Sequence, residues 1–154
     1  GATGFIGKRL VRKLLQRKGA VVHFLIRRES ESKVAGLREY WGVSAARAVP
    51  VFGDLTGKKL GVASDDLKKL KGQIDHFYHL AAVYDLGADA ESQIAVNIEG
   101  TRNTVELAKA IDAGHFHHVS SIAAAEPAII AESIVFSCSN WAITSAFSDN
   151  NLFN

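Results

Sequence analysis

From Ile6 the apolar residues fall at Ile6, Leu10, Val11, Leu14 and Leu15, separated by charged positions. That spacing lines one face of a helix, and Gly19 follows as its expected C-cap. Ala20 to Ile26 is short, apolar and rich in β-branched residues, which predicts a buried strand. Residues 30–41 predict a helix that packs through Val34, Leu37 and Trp41. A second strand is expected over Ala48 to Phe52, closed by Gly53-Asp54. Ser64 to Lys71 predicts a short polar helix with Ser64 or Asp65 as N-cap. Ile74 to Leu80 reads as a third strand and Phe116 to Ser120 as a fourth. Between them Ser92 to Ile111 predicts a long helix, with Ile94, Ile98, Val105, Leu107 and Ala108 partly on one face. Strands alternating with helices specify βαβ units, a parallel sheet and helices on both its faces. The expected fold class is therefore α/β, a doubly wound parallel sheet.

Beyond Pro127 the pattern changes. The segment 127–154 holds only Glu132 and Asp149 as charged residues and is rich in Ser and Asn. Its periodicity fits strand or helix equally. The expected organisation is one domain over 1–126 followed by an atypical tail.

Composition narrows the classes. A chain of 154 residues with 47% hydrophobic content can bury a core and is not generally disordered. A single cysteine, Cys138, allows no internal disulfide or Cys-rich zinc site. With no signal-peptide pattern, this points to a reducing, cytoplasmic setting. No apolar run approaches the ~18 residues that cross a bilayer. The net charge of +2 is too small to imply nucleic acid. The basic residues from Lys8 to Lys18 recur at helical spacing with only Phe5 as a nearby aromatic, which is a solvated helix face. The chain has no Met and opens inside a glycine motif, so a piece of a longer protein is expected.

That motif carries the chemistry. Gly1-Ala2-Thr3-Gly4-Phe5-Ile6-Gly7 runs straight into an amphipathic helix and then a buried strand. Gly1 allows a tight turn, Gly4 lets backbone N–H groups approach a pyrophosphate, and Gly7 allows close helix–strand contact. The helix N-terminus adds partial positive charge for phosphates.

The loop resembles the signature of extended short-chain dehydrogenases/reductases. Further matches follow in order: Gly53-Asp54-Leu55-Thr56, His79-Leu80-Ala81-Ala82, Asn97-Ile98-Glu99-Gly100-Thr101-Arg102-Asn103 and His118-Val119-Ser120-Ser121. The resemblance covers residues 1 to about 126 and implies a Rossmann domain that binds NAD(P). Under it, Gly1, Thr3, Gly4, Phe5, Ile6 and Gly7 hold the pyrophosphate. Arg27 and Arg28 stand where the adenosine ribose is read, and two guanidiniums there favour NADP over NAD. Asp54, with Leu55 beside it, is implied to bind the adenine amino group. Leu80, Ala81 and Ala82 let backbone contact the ribose region, and Asn97 steadies the neighbouring strand ends. Tyr84 is a candidate for lining the substrate cleft. Ser121 is the implied catalytic hydroxyl that polarises a carbonyl or alcohol substrate during hydride transfer.

The chain departs from the family at the proton donor. The family uses a Tyr with a Lys four residues later. Here Tyr40, Tyr78 and Tyr84 are followed at that distance by Ser44, Ala82 and Ala88, and no Lys follows Lys109. The expectation is a chain inactive as it stands. Its look is nearest to bacterial reductases related to fatty acyl-CoA reductases and to 3β-hydroxysteroid and dihydroflavonol-type dehydrogenases. A nucleotide-sugar epimerase or dehydratase is the alternative enzyme, and dinucleotide binding without catalysis the alternative of another class. His115 and His117 share a strand face, but no carboxylate or Cys stands at ligand spacing, so no metal is expected. A G-x-S-x-G elbow, which a hydrolase triad would want, is absent.

A doubly wound sheet also places a strand immediately before Gly1, between the strand at 20–26 and the strand at 74–80. The chain supplies none there. The expected domain is incomplete at both ends, with exposed strand edges that promote aggregation.

Overall fold

The computed structural model describes residues 1–81 and 90–119. In order these form α1 (Phe5–Leu15), β1 (Val22–Ile26), α2 (Lys33–Trp41), β2 (Ala48–Phe52), α3 (Ser64–Leu70), β3 (His76–His79), α4 (Ala90–Ala110) and β4 (His115–His118). Short 3₁₀ turns lie at Arg28–Ser30 and Lys58–Gly61.

The strands pair in parallel, β1 with β2 and β3 with β4. Among the described residues β1 and β3 do not bond to one another. The interruption falls between the two strands that the sequence pattern separates by a further strand.

Alternation along β1 and β2 divides the core into two layers. Phe24, Ile26 and Ala48 face Val11 and Leu15 of α1 and Val34, Leu37 and Trp41 of α2. Val51 and Leu25 face the opposite way, toward Leu60, Leu70 of α3 and Leu107 of α4. Phe116 of β4 and Phe77 of β3 join this second layer. Helices therefore cover both faces, and α4 serves both strand pairs. This is a doubly wound Rossmann-type α/β fold.

The first layer is tied by one aromatic. The Trp41 ring meets Phe24 edge-on at 5.2 Å, and its Nε1 donates to the Lys8 carbonyl of α1 at 3.0 Å. Trp41 thus fills the core and satisfies its only side-chain donor. Gly42, at φ +66°, ends α2 in the left-handed conformation that favours glycine.

Several expectations are corrected. Ile6 is 59% exposed and lies off the buried face of α1, which runs through Gly7, Val11 and Leu15. The C-cap of α1 is Gln16, and Gly19 instead makes a later turn at φ +78°. The N-cap of α3 is Ala63 without a side-chain bond, so neither Ser64 nor Asp65 caps it. Ile94 and Ile98 are exposed on α4, while Leu107 and Ala108 are buried. β2 matches its expected run, β1 and β3 are shorter than theirs because pairing ends before the hydrophobic pattern does, and β4 starts one residue earlier, at His115.

Candidate functional site

The glycine loop sits between the ends of β1 and β3 and opens onto α1. Gly1 is bare because Leu80 and Ala81 press on it: a Cβ there would meet the Leu80 Cβ at 2.8 Å and the Ala81 nitrogen at 3.0 Å. Gly7 is bare because α1 crosses the loop backbone, and its Cβ would overlap the Gly1 carbonyl. Gly4 differs. It has ordinary extended angles, φ −75° and ψ 173°, and a Cβ would find only the Gly1 oxygen, at 3.4 Å. Packing does not demand glycine here, so the open side of Gly4 is left for an approaching group. It is the N-cap of α1 with no side-chain cap, and no acidic residue stands in the first turn. The first N–H groups and the positive end of the helix dipole are therefore available to an anion.

Beyond the loop a cleft of about 370 Å³ runs past Thr3, Arg27, Asp54 and Ala81 to Val96 of α4. A second hollow of about 260 Å³ continues it under Arg28 and Phe52. The Arg28 guanidinium lies 4.5 Å from the centroid of the Phe52 ring. The basic groups Arg27 and Lys33 share the main cleft.

Asp54 is fixed by its own turn. Its Oδ1 accepts from the Thr56 N–H at 2.9 Å and from the Thr56 hydroxyl at 2.6 Å. These bonds, helped least by Arg27, hold its carboxyl below the ordinary carboxylate range against the opposing effect of burial. The Asp54 N–H donates to the Leu60 carbonyl at 2.8 Å. That contact needs Lys59 and Leu60 in left-handed conformations, at φ 48° and 57°. Non-glycine residues adopt this region at a cost of about 1–2 kcal/mol each, so the loop is held by what it contacts.

The cleft floor is anchored from α4. The buried Asn103 donates from Nδ2 to the Leu55 carbonyl at 3.1 Å. Gly100 lets Leu55 lie flat on the helix, since a Cβ there would meet its side chain at 2.6 Å. His79, 4% exposed at the end of β3, shares a 3.2 Å hydrogen bond between Nε2 and the Thr101 hydroxyl. Burial and then His118 push its pKa down to about 4, so the ring is neutral near pH 7.

The structure brings together Gly1, Thr3, Arg27, Asp54, Leu55 and Ala81 around the cleft. Arg28 borders the adjoining hollow. Leu80 abuts Gly1, and Phe5 and Ile6 are exposed on the first turn of α1. Asn97 is half-buried on α4, next to the lining residue Val96. Ala82, Tyr84, Ser121, Cys138 and the segment 127–154 lie outside the described residues. Ser30, Lys33 and Val96 also line the cleft, although the sequence pattern does not single them out. Ser30 and Lys33 carry a signal, since both follow β1 on the side where Arg27 emerges. Asn103 is legible only as part of a longer motif. Among the described residues no group of three or more His, Cys, Asp or Glu side chains forms a metal cage. Nor is any described helix long and apolar enough to cross a membrane.

Comparison with known proteins gives a consistent result. Residues 1–136 match the family model described as male sterility protein, an NAD-binding family. The chain is 33% identical over 130 residues to a linear gramicidin synthase of Brevibacillus parabrevis, covering 79% of this chain and 3% of that one. It is 24% identical over 125 residues to a fatty acyl-CoA reductase of Drosophila melanogaster, covering 72% and 24%. Among solved structures it resembles the terminal R domain from the myxalamid PKS-NRPS biosynthetic pathway, with 31% identity and a TM-score of 0.64, over 79% of this chain and 33% of that one. The chain thus spans about a third or less of the length of these relatives. Its open glycine cradle, the adjoining cleft and the family match agree: this chain belongs to the male sterility protein family of nicotinamide-dinucleotide-binding domains, of the extended short-chain dehydrogenase/reductase type.

Proposed function

We propose that this chain is the cofactor-binding part of an NADPH-dependent reductase whose hydride acceptor is the carbonyl of an acyl thioester. The observation that carries the reading is Gly4: a glycine that packing does not require, at an uncapped helix N-terminus, in a loop whose Gly1 and Thr3 line a cleft with Arg27. Backbone N–H groups after Gly4 receive the pyrophosphate. Arg27, with Lys33 beside it and Arg28 in the adjoining hollow, receives the 2′-phosphate of NADP. Asp54 keeps Oδ1 on Thr56 and offers Oδ2 to the adenine amino group. The bound nicotinamide would supply the hydride. Ser121 orients the substrate carbonyl, and Tyr84 lines its approach. The thioester class rests on the acyl-CoA reductase among the relatives. A cytoplasmic setting accords with the single cysteine.

A second reading, dinucleotide binding without turnover, is favoured by one feature. No Tyr in the sequence has a Lys four residues after it. Both readings are tested on the chain 1–154 by titrating NADPH and NADH against cofactor fluorescence. Tighter NADPH binding is expected, with the preference lost in R27A/R28A. A clear NADH preference in the unmodified chain overturns the roles given to the arginines. Consumption of NADPH on adding an acyl-CoA or an aldehyde removes the second reading.

A further inference from the structure

We propose that His76 and His117 form a two-histidine chelate for a divalent transition-metal ion, on the sheet face turned away from α4. Alternation assigns the face. In the register of β3 and β4, Phe77 sits opposite Phe116 and His79 opposite His118. Phe77 and Phe116 pack into the layer with α4, and His79 bonds Thr101 of that helix. The intervening residues His76, Tyr78, His115 and His117 therefore project from the other side.

The distance suits one ion. Nδ1 of His76 and Nε2 of His117 share a ring-to-ring hydrogen bond at 3.1 Å, whose proton an ion would replace. Two imidazole nitrogens bound to the same ion at about 2.0–2.1 Å, with an angle of roughly 90–110°, stand about 2.9–3.4 Å apart. The rings are already held in place. His115 stacks on His76 at 5.0 Å, and Tyr78 stacks on His117 at 4.5 Å with planes 12° apart. Rings oriented before the ligand arrives lose little freedom on binding.

His76 is exposed and His117 half-buried, so an ion reaches the pair from solvent. Among the described residues no third side chain completes a cage, so water would fill the remaining positions around a bound ion. Imidazole ligands favour Cu²⁺, Ni²⁺ and Zn²⁺. The site lies at the start of β3, whereas the dinucleotide cleft lies past its end, at Ala81. A bound ion would clasp β3 to β4 without touching that cleft. The strand pattern alone misses the pair, because its two members belong to strands far apart in sequence.

The test is calorimetric titration of tag-free chain 1–154 with Zn²⁺ and with Ni²⁺ at near-neutral pH. One ion per chain is expected, with affinity falling at least about tenfold in H76A and in H117Q, and unchanged in H23A. Zn²⁺ should raise the thermal midpoint of the unmodified chain but of neither pair variant. In the unmodified chain, Ni²⁺ should broaden the imidazole NMR signals of His76 and His117 before that of His23, which keeps the test valid if a variant misfolds. The proposal is overturned if millimolar metal gives no binding, if both pair variants bind as tightly as the parent, or if broadening begins elsewhere.

Discussion

Gly7 lies against the backbone of Gly1 so closely that a Cβ on Gly7 would stand 2.0 Å from the Gly1 carbonyl oxygen. Backbone cannot rotate out of the way as a side chain can. G7A should therefore cost about 3 kcal/mol, at or beyond the usual range for overpacking. G4A should behave differently, since Gly4 has angles that alanine adopts freely and 3.4 Å of clearance. Urea unfolding of G4A should match the parent closely, while its NADPH affinity drops at least tenfold. Equal stability losses in the two variants would remove the assignment of Gly4 to the ligand.

Arg47 closes the end of α1. Its guanidinium donates to the carbonyls of Leu15 at 2.7 Å, Arg17 at 3.0 Å and Ala20 at 3.0 Å. These include carbonyls that a helix end leaves without partners, and a planar fork reaches several at once. R47A should lose about 2–4 kcal/mol, counting non-additive bonds from a charged donor. R47K should recover only part, because one ammonium cannot span the same carbonyls. Full recovery by lysine in chemical denaturation would mean that charge alone matters.

Such long-range bonds mark where sequence reading stops. The strand at Ala48–Phe52 and the face Val34, Leu37, Trp41 were legible because burial of β-branched and helix-spaced residues is written locally. The glycine loop was legible because its spacing encodes two steric contacts and one open side. Arg47 carries no local signal of its role, since its partners lie 27–32 residues earlier. Ile94 and Ile98 satisfied the helix pattern yet are exposed, because periodicity names a face without naming what covers it. Asp54 was expected to meet the ligand, and its turn with Thr56, which the sequence motif does not reveal, occupies one oxygen only.

Asn103 couples α4 to the cleft through the Leu55 carbonyl, and it is 2% exposed. N103A should cost about 1–3 kcal/mol by leaving that carbonyl unpaired in the core. N103D should cost more, because a carboxylate cannot donate and would face a carbonyl oxygen. Both should weaken NADPH binding, since Leu55 lines the cleft. Unchanged cofactor affinity in a folded N103A would show that the anchor is purely structural.

His79 makes the fold sensitive to acid. Its pKa of about 4 in the folded chain lies below the ordinary value of 6.5, chiefly through burial. Between these values the unfolded chain binds the proton and the folded chain does not. Its contribution is therefore complete above pH 6.5 and is lost as pH falls toward about 4. The full span corresponds to roughly 3 kcal/mol at 1.36 kcal/mol per unit. Ordinary carboxylates titrate at the lower end of this window, at about pH 4, whereas His23, His117 and His118, also lowered by burial, add in the same direction. The test is the difference between the parent and H79Q, whose amide can still reach the Thr101 hydroxyl. Urea unfolding followed from neutral pH down to about pH 5 should show a shallower loss in H79Q than in the parent. Identical slopes would place the acid sensitivity in the other histidines and leave His79 without a part in it.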